Sequence, residues 1–76
     1  MIKINLKLFV TLSCYLPENS ECFEVREGTS VEKLIRDLGI EQKLVKLIFI
    51  NGKREDVHYI LKQGDRVGLF PPVGGG

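Results

Sequence analysis

The sequence predicts an α+β fold, a mixed four- to five-stranded sheet with one helix packed on one face. Three observations predict it. Apolar residues recur at every second position from Ile2 to Val10, the period of a half-buried strand. Val31, Leu34, Ile35 and Leu38 fall at i, i+3, i+4 and i+7, one apolar stripe of a helix. The segments then run strand, strand, helix, strand, short strand, strand, an order that lays a single helix across a sheet. Composition agrees, since seven Val, seven Ile and no Ala in 76 residues favour strands over a helical bundle.

In the first strand, residues 2, 4, 6, 8 and 10 are apolar and 3, 5, 7 and 11 polar. Residues 12–20 contain Pro17 and Asn19 and read as a loop with room for one helical turn. Phe23 and Val25 alternate with Glu24 and Arg26 in a second strand, antiparallel to the first, which Gly28 breaks. Thr29-Ser30-Val31-Glu32 has the form of a capping box, with Thr29 as N-cap. The helix that follows ends at Gly39, with Ile40 as the apolar residue beyond a left-handed cap. Leu44–Ile50 reads as a third strand, apolar on both sides, running into the tight-turn pair Asn51-Gly52. Lys53 to Asp56 pair back briefly. Tyr59-Ile60-Leu61 is a short apolar segment, Gln63-Gly64-Asp65 a turn, and Arg66–Phe70 the last strand. The simplest architecture with this order is the ubiquitin-like β-grasp, in which the first and last strands lie side by side and parallel. The expected core is Ile4, Leu6, Leu8, Val25, Val31, Leu34, Ile35, Val67 and Leu69.

Size and charge exclude several functions. A chain of 76 residues makes one small domain with little room for an internal active site. Eleven basic against ten acidic residues leave a net charge of +1, so no global basic field draws nucleic acid or an anionic membrane. The longest aliphatic or aromatic run, Leu47 to Ile50, is far too short to span a bilayer. The alternating N-terminal residues are not the apolar core of a signal peptide, and the expected location is the cytoplasm. Cys14 and Cys22, with His58 alone, lack the paired spacing of a zinc site. A bridge between them is conceivable across a hairpin, but they read better as small, partly buried apolar residues. No metal site and no bound cofactor are expected.

The chain divides into a domain of residues 1–70 and a tail, Pro71-Pro72-Val73-Gly74-Gly75-Gly76. Two prolines fix φ and favour an extended path, and the glycines carry no Cβ. From Phe70 to Gly76 the reach is about 20 Å when extended. A stiff neck with a thin tip carrying a carboxylate is suited to threading a narrow channel in another protein. An ionised carboxylate is a poor electrophile but an adequate nucleophile toward a phosphoryl group. Adenylation would turn it into an acyl-adenylate open to sulfur or nitrogen nucleophiles. The tail is not a phosphate-binding loop, which needs glycines between a strand and a helix. A plain flexible tail is the bland reading of the glycines.

Gly64-Asp65-Arg66-Val67, then Leu69-Phe70-Pro71-Pro72-Val73, then Gly75-Gly76, resembles the C-terminus of the MoaD/ThiS sulfur-carrier family. Leu8-Phe9, Gly28-Thr29-Ser30-Val31, Leu34-Ile35 and Asn51-Gly52 agree, so the resemblance covers the whole chain. Phe-Pro-Pro-Val before the diglycine is more similar to the MoaD branch, the small subunits of molybdopterin synthase, than to the ThiS branch of thiazole synthesis. The resemblance implies that a ubiquitin-activating-enzyme-like adenylyltransferase uses MgATP to adenylate Gly76. A sulfur donor then displaces AMP, giving a C-terminal thiocarboxylate. That sulfur passes to an acceptor such as the molybdopterin synthase large subunit, for a molybdenum or tungsten cofactor. ATP and magnesium belong to the activating partner, and this chain is a co-substrate rather than an enzyme. Gly74 and Gly75 thread the channel.

A partner face follows from the strand period. If residues 2, 4, 6, 8 and 10 face the helix, then 3, 5, 7, 9 and 11 face away, a polar row except for Phe9. In the last strand Arg66, Gly68 and Phe70 face outward. The third strand turns outward either Leu47 and Phe49 or Ile48 and Ile50. Phe9, Phe70 and Phe49 can therefore form an apolar patch at the root of the tail, and such patches mark interfaces. With Pro71, Pro72 and Val73 they are the expected partner contacts. Glu18, Glu21, Glu24 and Glu27 read as solvated hairpin positions. Three functional readings compete: a sulfur carrier for molybdopterin or for thiazole, a protein modifier joined to lysine, and an interaction domain with an idle tail.

Overall fold

The computed structural model describes residues 1–72. Its strands are β1 (Ile2–Leu8), β2 (Phe23–Val25), β3 (Leu47–Ile50), β4 (Lys53–Glu55) and β5 (Arg66–Phe70), with one α-helix, α1 (Val31–Asp37). They form one mixed sheet in the order β2-β1-β5-β3-β4. The neighbours β1 and β5 run parallel, with Leu6 opposite Val67 and Leu8 opposite Leu69. β2 is antiparallel to β1, and β3 is antiparallel to both β4 and β5. This is the α+β, ubiquitin-like β-grasp arrangement that the order of elements predicts.

Every residue of the expected core is buried. Alternation along β1 sends Ile2, Ile4, Leu6 and Leu8 inward, where they join Val31, Leu34 and Ile35 of α1, Val67 and Leu69 of β5, and Ile48 and Ile50 of β3. Leu12, Ile40 and Leu61 complete the core, each from a segment whose periodicity is too short to show which way it points.

Four local readings are corrected. Val10 does not continue β1. Its φ of +54° turns the chain out of the strand, its side chain is 68% exposed, and a 3-10 helix runs from Val10 to Tyr15. The N-cap of α1 is Ser30, whose Oγ accepts from the Lys33 amide at 3.2 Å. Thr29 is buried instead, and its carbonyl accepts from the Leu61 amide at 2.8 Å. With Lys33 at the third helical position there is no capping box, only a single cap. The third strand starts at Leu47, because Gln42–Leu44 form a 3-10 turn. Cys14 and Cys22 are exposed free thiols rather than partly buried residues; they lie in short 3-10 helices, the first of which turns Leu12, not Cys14, into the core.

The helix terminus follows the sequence. Gly39, at φ +82°, donates its amide to the Arg36 carbonyl at 3.0 Å, and Ile40 donates to Ile35 at 3.1 Å. These are the two bonds of a Schellman cap, with Ile40 buried beyond it. Asn51 (φ +54°) and Gly52 (φ +82°) make the two-residue β3–β4 turn that two left-handed residues require.

Candidate functional site

The outer face of the sheet is the one not covered by α1, and register decides what stands on it. Lys7 of β1, Gly68 of β5, Phe49 of β3 and Arg54 of β4 lie opposite one another in one row. Leu47 and Phe70 are paired in the next row. Ile48 and Ile50 are buried while Leu47 and Phe49 are half-buried, so the outward pair of the third strand is Leu47 and Phe49. Phe9 lies one residue past β1, and its amide still donates to the Leu69 carbonyl at 3.1 Å. That bond holds it alongside β5 before Val10 turns away.

The three phenylalanines meet. The Phe9 and Phe70 rings are stacked with centroids 4.2 Å apart and planes 3° from parallel. Phe49 meets Phe70 edge-on at 5.5 Å and 80°. Both geometries are favourable for aromatic pairs. Lys7, Asn5 and Arg66 surround the cluster, and Gly68 lies among the rings, leaving a depression of about 300 Å³. Sequence reasoning placed Gly68 on this face without giving it a role. The signal was there: glycine inside a strand often marks a close approach of other groups.

The root of the tail lies beside this cluster. β5 ends at Phe70, whose carbonyl accepts from the Lys46 amide at 2.7 Å. Pro71, expected as a partner contact, is buried; Leu12, Tyr15 and Leu44 line the surface around it and Pro72. Its ring therefore fixes the direction of the neck rather than presenting a surface, whereas Pro72 is exposed. Val73, Gly74, Gly75 and Gly76, the remaining expected contacts and the expected reacting residue, lie outside the described residues.

A second cluster, which sequence reasoning missed, lies at the start of β5. Asp65 is 5% exposed. One carboxylate oxygen accepts from Asn51 Nδ2 at 3.0 Å, the other from the Tyr59 hydroxyl at 3.0 Å and the Lys62 amide at 2.9 Å. Asn51 Oδ1 in turn accepts from the Arg66 amide at 2.9 Å. One buried carboxylate thus ties the β3–β4 turn to the start of β5. Partial burial and the adjacent Asp65 carboxylate push the Tyr59 phenol above its ordinary value. Among the described residues no buried side-chain polar atom lacks a partner, no group of three or more His, Cys, Asp and Glu is placed to hold a metal, and no helix is long and apolar enough to cross a membrane. His58, Glu18, Glu21, Glu24 and Glu27 are exposed.

Residues 6–76 match the ThiS family. The chain belongs to the ThiS family. That family, with its MoaD relatives, consists of small ubiquitin-like sulfur carriers, and the fold above is theirs. Among solved structures, the chain is similar to the solution structure of the Haloferax volcanii HVO 2177 protein (TM-score 0.76, 24% identity, covering 99% of this chain and 87% of that one). It is also similar to a Pyrococcus furiosus protein described as molybdopterin converting factor, subunit 1 (TM-score 0.72, 28% identity, 96% and 100% covered). A third similar structure is the crystal structure of SAMP1 from Haloferax volcanii (TM-score 0.67, 21% identity, 97% and 99% covered). No curated protein sequence matches the chain.

Proposed function

We propose that this ThiS-family chain carries sulfur as a C-terminal thiocarboxylate for molybdopterin synthesis. The observation that carries the reading is the Phe9–Phe49–Phe70 cluster beside the end of β5. It gives partner enzymes an apolar surface at the root of a tail whose neck is set by the buried Pro71. A carboxylate oxygen of Gly76 attacks the α-phosphorus of ATP on an adenylyltransferase, and pyrophosphate leaves. A sulfur nucleophile then takes the acyl carbon and AMP leaves. Magnesium and ATP are the activating enzyme's, and this chain is the substrate of both steps. Glycine suits the tip because no Cβ hinders approach to the carbonyl. The similarity to the Pyrococcus furiosus molybdopterin converting factor subunit supports molybdopterin as the destination.

The test is the intact mass of the protein after incubation with MgATP, the adenylyltransferase and a sulfide donor. The expected result is a gain equal to the mass of sulfur less that of oxygen, and its loss on addition of a molybdopterin synthase large subunit with its pterin precursor. Discharge to a thiazole synthase instead would redirect the pathway. No mass gain, or an equal gain in a protein extended by a peptide tag after Gly76, would overturn the carrier reading.

A further inference from the structure

Gly68 stands at the centre of the outer face, opposite both Lys7 and Phe49. Its backbone is not left-handed, and a Cβ would fit at ordinary contact distance, so neither conformation nor crowding calls for glycine there; what the missing side chain leaves is open space. A Cβ would lie 3.4 Å from Phe9 Cε2, 3.8 Å from Phe70 Cε1 and 3.9 Å from the Phe49 carbonyl oxygen. Its absence opens the floor of the 300 Å³ depression. That volume is at the lower limit of small-molecule sites, which run from roughly 300 to 1,000 Å³, and suits an inserted side chain. The charged residues lining it are Lys7 and Arg66, with no carboxylate among them. Neither is in an ion pair among the described residues.

We propose that this depression receives one apolar side chain, of leucine to phenylalanine size, from a partner protein that sets a carboxylate beside it. The apolar group fills the space over Gly68 and the carboxylate meets Lys7 and Arg66. Buried central contacts of this kind dominate interface energies, and the cations steer the approach. The same face of a second copy does not fit, because a two-fold pairing would bring Lys7 and Arg66 against like charges. Single-stranded nucleic acid needs free aromatic faces on which bases stack, and Phe9 and Phe70 spend a face on each other. The carrier reading enters only in naming the partner, as the adenylyltransferase or the sulfur acceptor.

The test uses the full ¹⁵N-labelled chain and 3-phenylpropionate as probe, beside its amide and 2-phenylethylamine. Saturable shifts centred on the Gly68, Phe49, Phe70 and Lys7 amides are expected with the acid, at a Kd on the order of millimolar for so small a ligand. The amine should bind about tenfold more weakly or worse, since both flanking charges oppose it. Gly68→Val should weaken the acid at least about tenfold by filling the space. If that variant does not fold, Gly68→Ala, whose Cβ meets its neighbours at ordinary contact distance, should weaken it measurably. Lys7→Glu with Arg66→Glu should reverse the preference between acid and amine. Shifts elsewhere on the protein, equal binding of acid and amine, unaltered binding by the Gly68 variants, or oligothymidylate binding at the same amides would each overturn the proposal. No enzyme is present in this assay, so its failure leaves the carrier reading standing, and failure of the mass test leaves this one standing.

Discussion

Replacing Asp65 with alanine should cost the fold about 3–4 kcal/mol, more than any other exchange of a polar residue in the domain. The carboxylate accepts three hydrogen bonds, from Asn51 Nδ2, the Tyr59 hydroxyl and the Lys62 amide, at 3.0, 3.0 and 2.9 Å. Losing the acceptor leaves three donors to find water, at about 1–3 kcal/mol for each that stays dry. Asn51 is exposed and Tyr59 half-buried, so water relieves part of that cost. This brings the average toward about 1 kcal/mol per donor, or about 3–4 in all. A domain of this size responds by roughly 4–8 °C per kcal/mol, so the midpoint should fall by about 12–30 °C. Asp65→Asn keeps one acceptor oxygen but turns an amide donor toward another donor, and should cost about 2 kcal/mol. Tyr59→Phe removes a single bond and should cost about 1 kcal/mol. Urea unfolding followed by circular dichroism measures all three. An alanine variant within about 1 kcal/mol of wild type, or an asparagine variant as unstable as alanine, would refute the account of Asp65 as a three-donor clamp.

Three further outcomes are expected. Val10→Gly should raise stability by about 0.5–1 kcal/mol in the same assay, because a β-branched residue at φ +54° is strained by about 1–2 kcal/mol and glycine's greater freedom when unfolded offsets only part of the relief. The phenol of Tyr59 titrates above 10.0 in the fold, so its contribution is complete below that unfolded value and lost as pH rises through the folded one. Tyr59→Phe should therefore flatten the loss of stability between neutral and strongly alkaline pH, read from melting temperatures across that range. Phe70→Glu should weaken binding to the adenylyltransferase at least about tenfold by calorimetry, with Phe9→Glu milder, while both retain a cooperative melt because the core beneath is intact.

What the sequence made legible was whatever a single period or a single turn encodes. The alternation in β1 can bury only one row, and Gly39 with Ile40 can end a helix in few ways, so both could be read locally. What stayed hidden depends on neighbours far along the chain. Residues 47–50 are apolar on both sides, and only pairing of Phe49 with Gly68 and of Leu47 with Phe70 settles which row faces outward. Asp65 reads as an ordinary turn residue, because its burial depends on Asn51 and Tyr59 folding over it. Val10 satisfies the strand period by residue type, yet its backbone leaves the strand.

That departure at Val10 bears on how a small domain carries a binding face without spending its core on it. Had β1 continued, Val10 would have pointed inward and Phe9 would have stood mid-strand on the outer face. By ending at Leu8, the strand leaves Phe9 at a free corner, held by one amide bond to Leu69 and by its stack on Phe70. The same step carries the following 3-10 helix across to bury Leu12 and cover Pro71. One backbone turn thus exposes an aromatic edge on the outer face and steadies the neck of the tail. The inner rows of β1 and β5 hold the fold through Leu6, Leu8, Val67 and Leu69. The outer rows, through Lys7, Gly68 and Phe70, stay free to change with the partner, because a substitution there removes little from the core on the other side of the sheet.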